Sequence, residues 1–145
     1  MLSMARTDSI GILLGETARA WRCQLDKRLR PLGLSQAKWL ALLHLNVGGD
    51  GMLQKDLAAR LGVEGPTLVG LLDRMSRDGW IERRPCGEDR RSKTVHLTRK
   101  AHDVISEIDA TADHLRTELL GGIPERDLAR AADVLRQIKE KADSL

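Results

Sequence analysis

Apolar residues recur along this chain at steps of three and four, broken by glycine and proline, and the pattern predicts six helices and one hairpin. From Asp8 to Leu32, the stripe Leu14, Ala18, Trp21, Leu25, Leu29 and Leu32 predicts a long amphipathic helix ended by Pro31 and Gly33. Ser35 offers an N-cap hydroxyl to a second helix. Its Trp39, Leu40, Leu42 and Leu43 form a buried side, and it closes near the turn Gly48-Gly49-Asp50-Gly51. Met52-Leu53 allows a brief strand. A third helix begins at Gln54, turns Leu57, Ala58 and Leu61 inward, and ends at Gly62, which can take a left-handed C-cap. Pro66, with a fixed φ and no N–H to leave unpaired, suits the first position of a fourth helix that runs to about Asp78 and stops at Gly79. Leu68, Leu71, Leu72 and Met75 face inward there, leaving Glu64, Thr67, Gly70, Arg74 and Arg77 outside.

Trp80-Ile81 opens a strand and Thr94-Val95-His96-Leu97 closes one, with a polar tip from Pro85 to Ser92 turning at Gly87. Thr98 is a plausible N-cap for a long helix with Ala101, Val104, Ile105, Ile108, Ala112, Leu115 and Leu119 on one face. Gly121-Gly122 breaks it, and Pro124 starts a last helix whose apolar positions are Leu128, Ala131, Leu135, Ile138 and Ala142. Four helices, a hairpin and two helices make a mostly α fold with a small β-hairpin wing, the form of a winged helix-turn-helix. The chain divides into an N-terminal dimerisation helix (1–34), the winged helix-turn-helix region (35–98) and C-terminal dimerisation helices (99–145) within one compact chain. The first helix and the last two carry apolar stripes that one winged unit is too small to cover, so a homodimer is expected.

With 145 residues, 41% hydrophobic and 31% charged, the chain has the make-up of one globular domain. The net charge of +3 is mild, but it is unevenly placed. Residues 60–100 hold ten Lys/Arg against six Asp/Glu, whereas the rest hold fourteen against fifteen. A protein that meets a polyphosphate would put its basic excess there, across the fourth helix and the hairpin. Phe and Tyr are absent and Trp occurs three times, which excludes a row of aromatics stacking on single-stranded bases. The N-terminus lacks a signal pattern and no long apolar run follows, so a cytoplasmic protein with no membrane partner is expected. Cys23 and Cys86, far apart, read as reduced thiols rather than a disulfide. His44, His96, His102 and His114 show no metal-ligand grouping with them, and no catalytic constellation or cofactor motif stands out, so neither metal, cofactor nor enzymatic activity is expected.

Function therefore rests on the helix pair and hairpin. A recognition helix enters the major groove with its N-terminal half, about 12 Å wide in B-DNA. Thr67 is then the best base-edge candidate, with Pro66 at the entering end; Glu64 can accept from a cytosine amine, and Arg74 and Arg77 suit phosphates. The tip contributes Arg84, Arg90, Arg91 and Lys93. An arginine at the end of a narrow hairpin is favoured in the minor groove, and Asp89, two residues before Arg91, can hold that guanidinium by a bidentate pair. The plainer readings are a helical hairpin in a bundle and a solvated charged loop.

The segments ARAWRCQLDKRLRPLGLSQAKW, DLAARLGVEGPTLVGLLDRM and GWIERRPCGEDRRSKTVHLT, with the D-x-R of Asp89-Arg90-Arg91 and the closing Leu97-Thr98, resemble the MarR family of winged-helix regulators, and within it the SlyA-like branch. The resemblance runs from Arg19 to Thr98; the terminal helices match in pattern more than in residues. It implies a homodimer on a pseudo-palindromic double-stranded operator, repressing or antagonising other repressors, and relieved by a small aromatic carboxylate or phenolic ligand. It also implies Arg91 as the minor-groove arginine, Asp89 as its orienting partner, and Arg19 and Trp39 as effector contacts, a cation for a carboxylate and an apolar wall. Ordinary core packing for Trp39 and a surface place for Arg19 is the competing reading. Leu68-Val69 is followed by Gly70 where the branch carries arginine, and its polar pocket positions fall on Ala37, Leu43 and Leu71. Effector-independent architectural DNA binding is thus an alternative. Thiol-based redox sensing is another, through Cys86, which the Arg-rich wing could activate, or Cys23, by default a packed thiol in a long helix.

Overall fold

In the computed structural model, helix α1 (Ile10–Leu29) ends where proline requires it. Pro31 has no N–H to give the carbonyl four residues back, so the chain tightens into a 3-10 turn at Arg30–Leu32 and reverses at Gly33, with φ 74°. The α-helix is three residues shorter than its apolar stripe predicts. Its expected start, Asp8, lies outside the described residues, which are 9–87 and 89–145, without the side chains of 89–91.

Helix α2 (Gln36–Gly48) begins as expected, Ser35 Oγ accepting from Lys38 N at 3.4 Å. Helix α3 (Gln54–Leu61) closes on Gly62 at φ 67°, whose N–H reaches the carbonyls of Ala58 and Ala59. In helix α4 (Gly65–Arg77), Glu64 is the extended cap residue, so Pro66 takes the second helical position and not the predicted first. Neither position's N–H has an intrahelical acceptor, so the missing donor costs nothing. The fold class is the one predicted: mostly helical with a small antiparallel sheet.

That sheet has the order β1-β3-β2, from β1 (Met52–Leu53), β2 (Ile81–Cys86) and β3 (Asp89–Leu97). Met52 pairs with Val95, and Ile81 with Leu97. The hairpin is longer than predicted. Pro85 pairs with Lys93 and Cys86 with Asp89, so strand structure runs through most of the expected loop. Proline cannot donate to a ladder, and the register shifts between Pro85 and Cys86.

Leu42, Leu45, Leu57, Leu68, Leu72, Met75 and Val95 are fully buried, uniting α2, α3, α4 and the sheet in one core. Burial of each such side chain contributes about 1.5–3 kcal/mol before entropy is counted. Leu40 and Leu43 are only half-buried; Trp39, Ala41, Leu42 and Leu45 carry the inner face of α2 instead. His44 on α2 is held below the ordinary histidine pKa, first by burial and then by the charge of Arg60 on α3. An unfolded chain takes up that proton first, so stability should be complete above about pH 6.5 and decline as the pH falls below it. Thermal melts of the wild type against His44→Gln should show this decline weakened in the variant.

The chain forms two compact units, one ending at Ala112 and one spanning Asp113–Leu145, so helix α5 (Arg99–Leu120) is shared and helix α6 (Glu125–Asp143) belongs to the second. In the first unit, α1 buries only Leu25 and Leu29, while Ile10, Ile12 and Leu13 are exposed. In the second, α6 buries nothing, and Val134, Leu135 and Ile138 are 44%, 47% and 40% exposed. Among the described residues no helix is long and apolar enough to cross a membrane.

Candidate nucleic-acid interface

The helix-turn-helix of α3 and α4 is set by the left-handed Gly62 and by Val63 N, which bonds to Ala58 O at 3.1 Å and draws the chain round to Glu64. Leu68, Leu71, Leu72 and Met75 turn one side of α4 into the core, and the other side is open. Glu64, Pro66, Thr67, Arg74 and Arg77, the predicted recognition-helix contacts, are all exposed. So is Val69, at 42%.

Gly70 leaves a gap in this open side. A β-carbon built there would lie 3.6 Å from Arg74 Nη1, an ordinary contact, so the guanidinium lies beside the glycine. Gly70→Ala should therefore fit and raise stability by about 1 kcal/mol, the helix-propensity difference, read as a higher denaturant midpoint with unchanged slope.

The wing is tied to the recognition helix by residues that helical periodicity does not reveal. Arg83 on β2 pairs with Asp73 on α4 at 2.6 Å, the arginine side chain being 20% exposed. Trp80 N bonds to Met75 O at 2.9 Å as α4 ends, and the Thr98 hydroxyl donates to Gly79 O at 2.6 Å. The same hydroxyl accepts from Ala101 N at 3.3 Å, so the predicted N-cap of α5 also fastens the end of α4. Lys100 adds to this junction, donating to Asp78 O at 2.7 Å with its ammonium 4.1 Å from the centre of the Trp80 ring. Asp78, hydrogen-bonded by Lys38, is held below the usual carboxylate pKa.

A second tie comes from the turn before β1. Asp50 Oδ1 accepts from Leu97 N at 2.8 Å, holding the base of β3. The Thr94 hydroxyl lies 3.3 Å from Arg84 O and 2.8 Å from His96 Nε2. A hydroxyl has one proton; given to Arg84 O, it leaves the oxygen to accept from the His96 ring. The wing is thus braced from α4 and from the α2–β1 turn.

Toward the tip, Arg84 is exposed and pairs with Glu82 at 3.3 Å, and Lys93 is exposed on β3. The backbone of Asp89, Arg90 and Arg91 opens β3 directly after the Gly87 turn, where φ is 57°. Their side chains, and with them the expected Asp89–Arg91 pair, lie outside the described residues. Beside β3, Gln54, Lys55, Ser92 and Lys93 line a notch of about 140 Å³, and the buried Gln54 Oε1 has no hydrogen-bond partner among the described residues.

The remaining candidates lie elsewhere. Arg19 is exposed on α1, and Trp39 is 1% exposed in the core, its indole N–H donating to Asp26 at 3.1 Å. Both thiols are free. Cys23, expected to be packed, is exposed because it lies on the face of α1 opposite the buried Leu25; Cys86, expected to be exposed by the wing, is half-buried.

Comparison with known proteins places these features in a wider set. A MarR-family sequence model matches residues 32–92, from the 3-10 turn to the far side of the wing. The solved structure of the transcriptional regulator PA3341 superposes with a TM-score of 0.87 at 46% identity, covering 93% of this chain and 98% of that one. A MarR-family regulator from Rhodococcus sp. RHA1 gives 0.81 at 26% identity, covering 94% and 96%. The transcriptional regulator SlyA gives 0.83 at 22% identity, covering 93% and 94%, a likeness of fold.

Proposed function

The chain belongs to the MarR family of winged-helix regulators, and on that premise we propose that it is a sequence-specific double-stranded DNA-binding transcriptional regulator acting as a homodimer on a pseudo-palindromic operator. One observation carries this reading: an exposed α4 face and a basic hairpin held in fixed relation by Arg83 and Asp73. The major groove would take the N-terminal half of α4, with Thr67 and Glu64 at base edges and Arg74 and Arg77 at phosphates. Arg91 would take the minor groove, oriented by Asp89, while Arg84, Arg90 and Lys93 add phosphate contacts. Two protomers would read two half-sites about one helical turn apart. Selection of duplexes from a random library, followed by footprinting, tests this: an inverted repeat protected on one face is expected, and failure to enrich any duplex would remove the reading.

The regulation we propose is repression, or antagonism of another repressor, relieved by a small aromatic carboxylate or phenol, with Arg19 pairing the acid. The resemblance to the family supports it, and Arg19, exposed on α1, is open to an acid. The burial of Trp39 and its bond to Asp26 favour a second reading, effector-independent architectural binding, since that indole is already satisfied. Salicylate-type acids titrated against the DNA complex, with tryptophan fluorescence and DNA release followed together, separate the two. Coupled changes support the effector; a flat response across a broad panel leaves the architectural reading.

A further inference from the structure

On the open side of α4, past Glu64 and Thr67 at the entering end, the next polar groups along the helix are committed elsewhere or set back. The Asp73 carboxylate is held by Arg83. The Arg74 guanidinium lies back beside Gly70, which has no side chain to offer. At 100° per residue, Val69 stands one turn before Asp73 and between Pro66 and the buried Leu72, at the edge of the open side. A single exposed valine is ordinary on most surfaces. Here it borders the side that the proposed DNA contact covers, where its exposed neighbour one turn back, Pro66, offers an apolar ring.

The major-groove edge of each base pair presents donors, acceptors and one apolar feature, the C5-methyl of thymine. An isopropyl group set against a donor or acceptor would strip its water and return no hydrogen bond. Against a thymine methyl it buries apolar surface on both sides. We infer that Val69, with the Pro66 ring beside it, is a specificity-determining residue that reads a thymine methyl in each half-site. This inference rests on the DNA-binding function proposed above and adds to it what α4 reads in place of an arginine at position 70.

The test uses the full chain and the tightest duplex recovered by selection from a random library. Each thymine is replaced singly by deoxyuridine, which removes only the methyl group. At one or two positions per half-site, affinity should fall about fourfold, the worth of one buried methyl-sized group, and the effects of the two half-sites should multiply. Val69→Ala should bind the thymine and uracil duplexes equally. Val69→Thr, of the same shape but with a hydroxyl for one methyl, should lower the thymine preference. Because Val69 is exposed, both variants should keep the wild-type circular dichroism spectrum and melting temperature. Uracil replacement that changes nothing at any position, or an undiminished thymine preference in Val69→Ala, would overturn the assignment of Val69 and leave DNA binding intact. Recovery of no duplex would overturn both.

Discussion

Replacing Leu135 and Ile138 together by aspartate is expected to convert the protein to monomers and to weaken operator binding by at least about a hundredfold, the gain that joining two binding modules typically confers. Helix α6 alternates polar and apolar residues as an amphipathic helix should, yet no residue of it is buried. Three large apolar side chains in one short run, each two-fifths or more exposed, form a stripe and not a scatter. Ile10, Ile12 and Leu13 make a similar exposed group within the first unit. A second copy would bury such stripes by symmetry. Carboxylates within that contact would leave unpaired charges out of water. Sedimentation at one chain's mass, with the circular dichroism spectrum retained, is the expected outcome. A variant still dimeric at micromolar concentration would place the dimer contact elsewhere, and Leu135→Ala should raise the dissociation constant without abolishing the dimer.

Arg91→Ala is expected to weaken binding to every duplex by roughly 10- to 100-fold, and to flatten the preference for A·T-rich flanks. The arginine is the third residue of β3, directly past the turn, on a hairpin braced by Asp73 and Asp50. A brace matters because a charge must be held at the depth of the groove to gain from its potential. Arg91→Lys, which keeps the charge but not the flat fork, should recover part of the loss. Fluorescence anisotropy with a selected operator and with unrelated DNA reads both effects; equal affinity for wild type and Arg91→Ala would remove the wing from the interface.

Much of the fold is written in local signals. Ser35, Gly62, Pro66 and Thr98 each act on their own few residues and stand at or within one place of an element boundary, and Gly79 stands two places past the end of α4. Helical stripes name the face that the chain itself buries for Leu68, Leu72 and Met75, whereas Ala18 on α1 and most of α6 stay exposed within one chain, as do stripes that a single winged unit is too small to cover. Periodicity reports which face is apolar and is silent on what covers it. The braces of the wing were not legible at all. Asp50 and Leu97 are 47 residues apart, and Arg83 and Asp73 look like two more members of a charged run until α4 and β2 are packed together. Arg84, selected from the same run as a DNA contact, pairs with its strand neighbour Glu82, while Arg83 has a positioning role that charge counting does not distinguish. The register shift after Pro85 follows from strand pairing, which lengthens a hairpin that polarity alone reads as a long loop.

The most direct test of the account is the salt dependence of binding to a selected duplex, measured by anisotropy from about 50 to 200 mM salt. With two wings and two recognition helices contacting phosphates, roughly six to ten counterions are released and affinity should fall about a thousandfold or more across that range. Absence of binding at the lowest salt, or an affinity that does not change with salt, would contradict it.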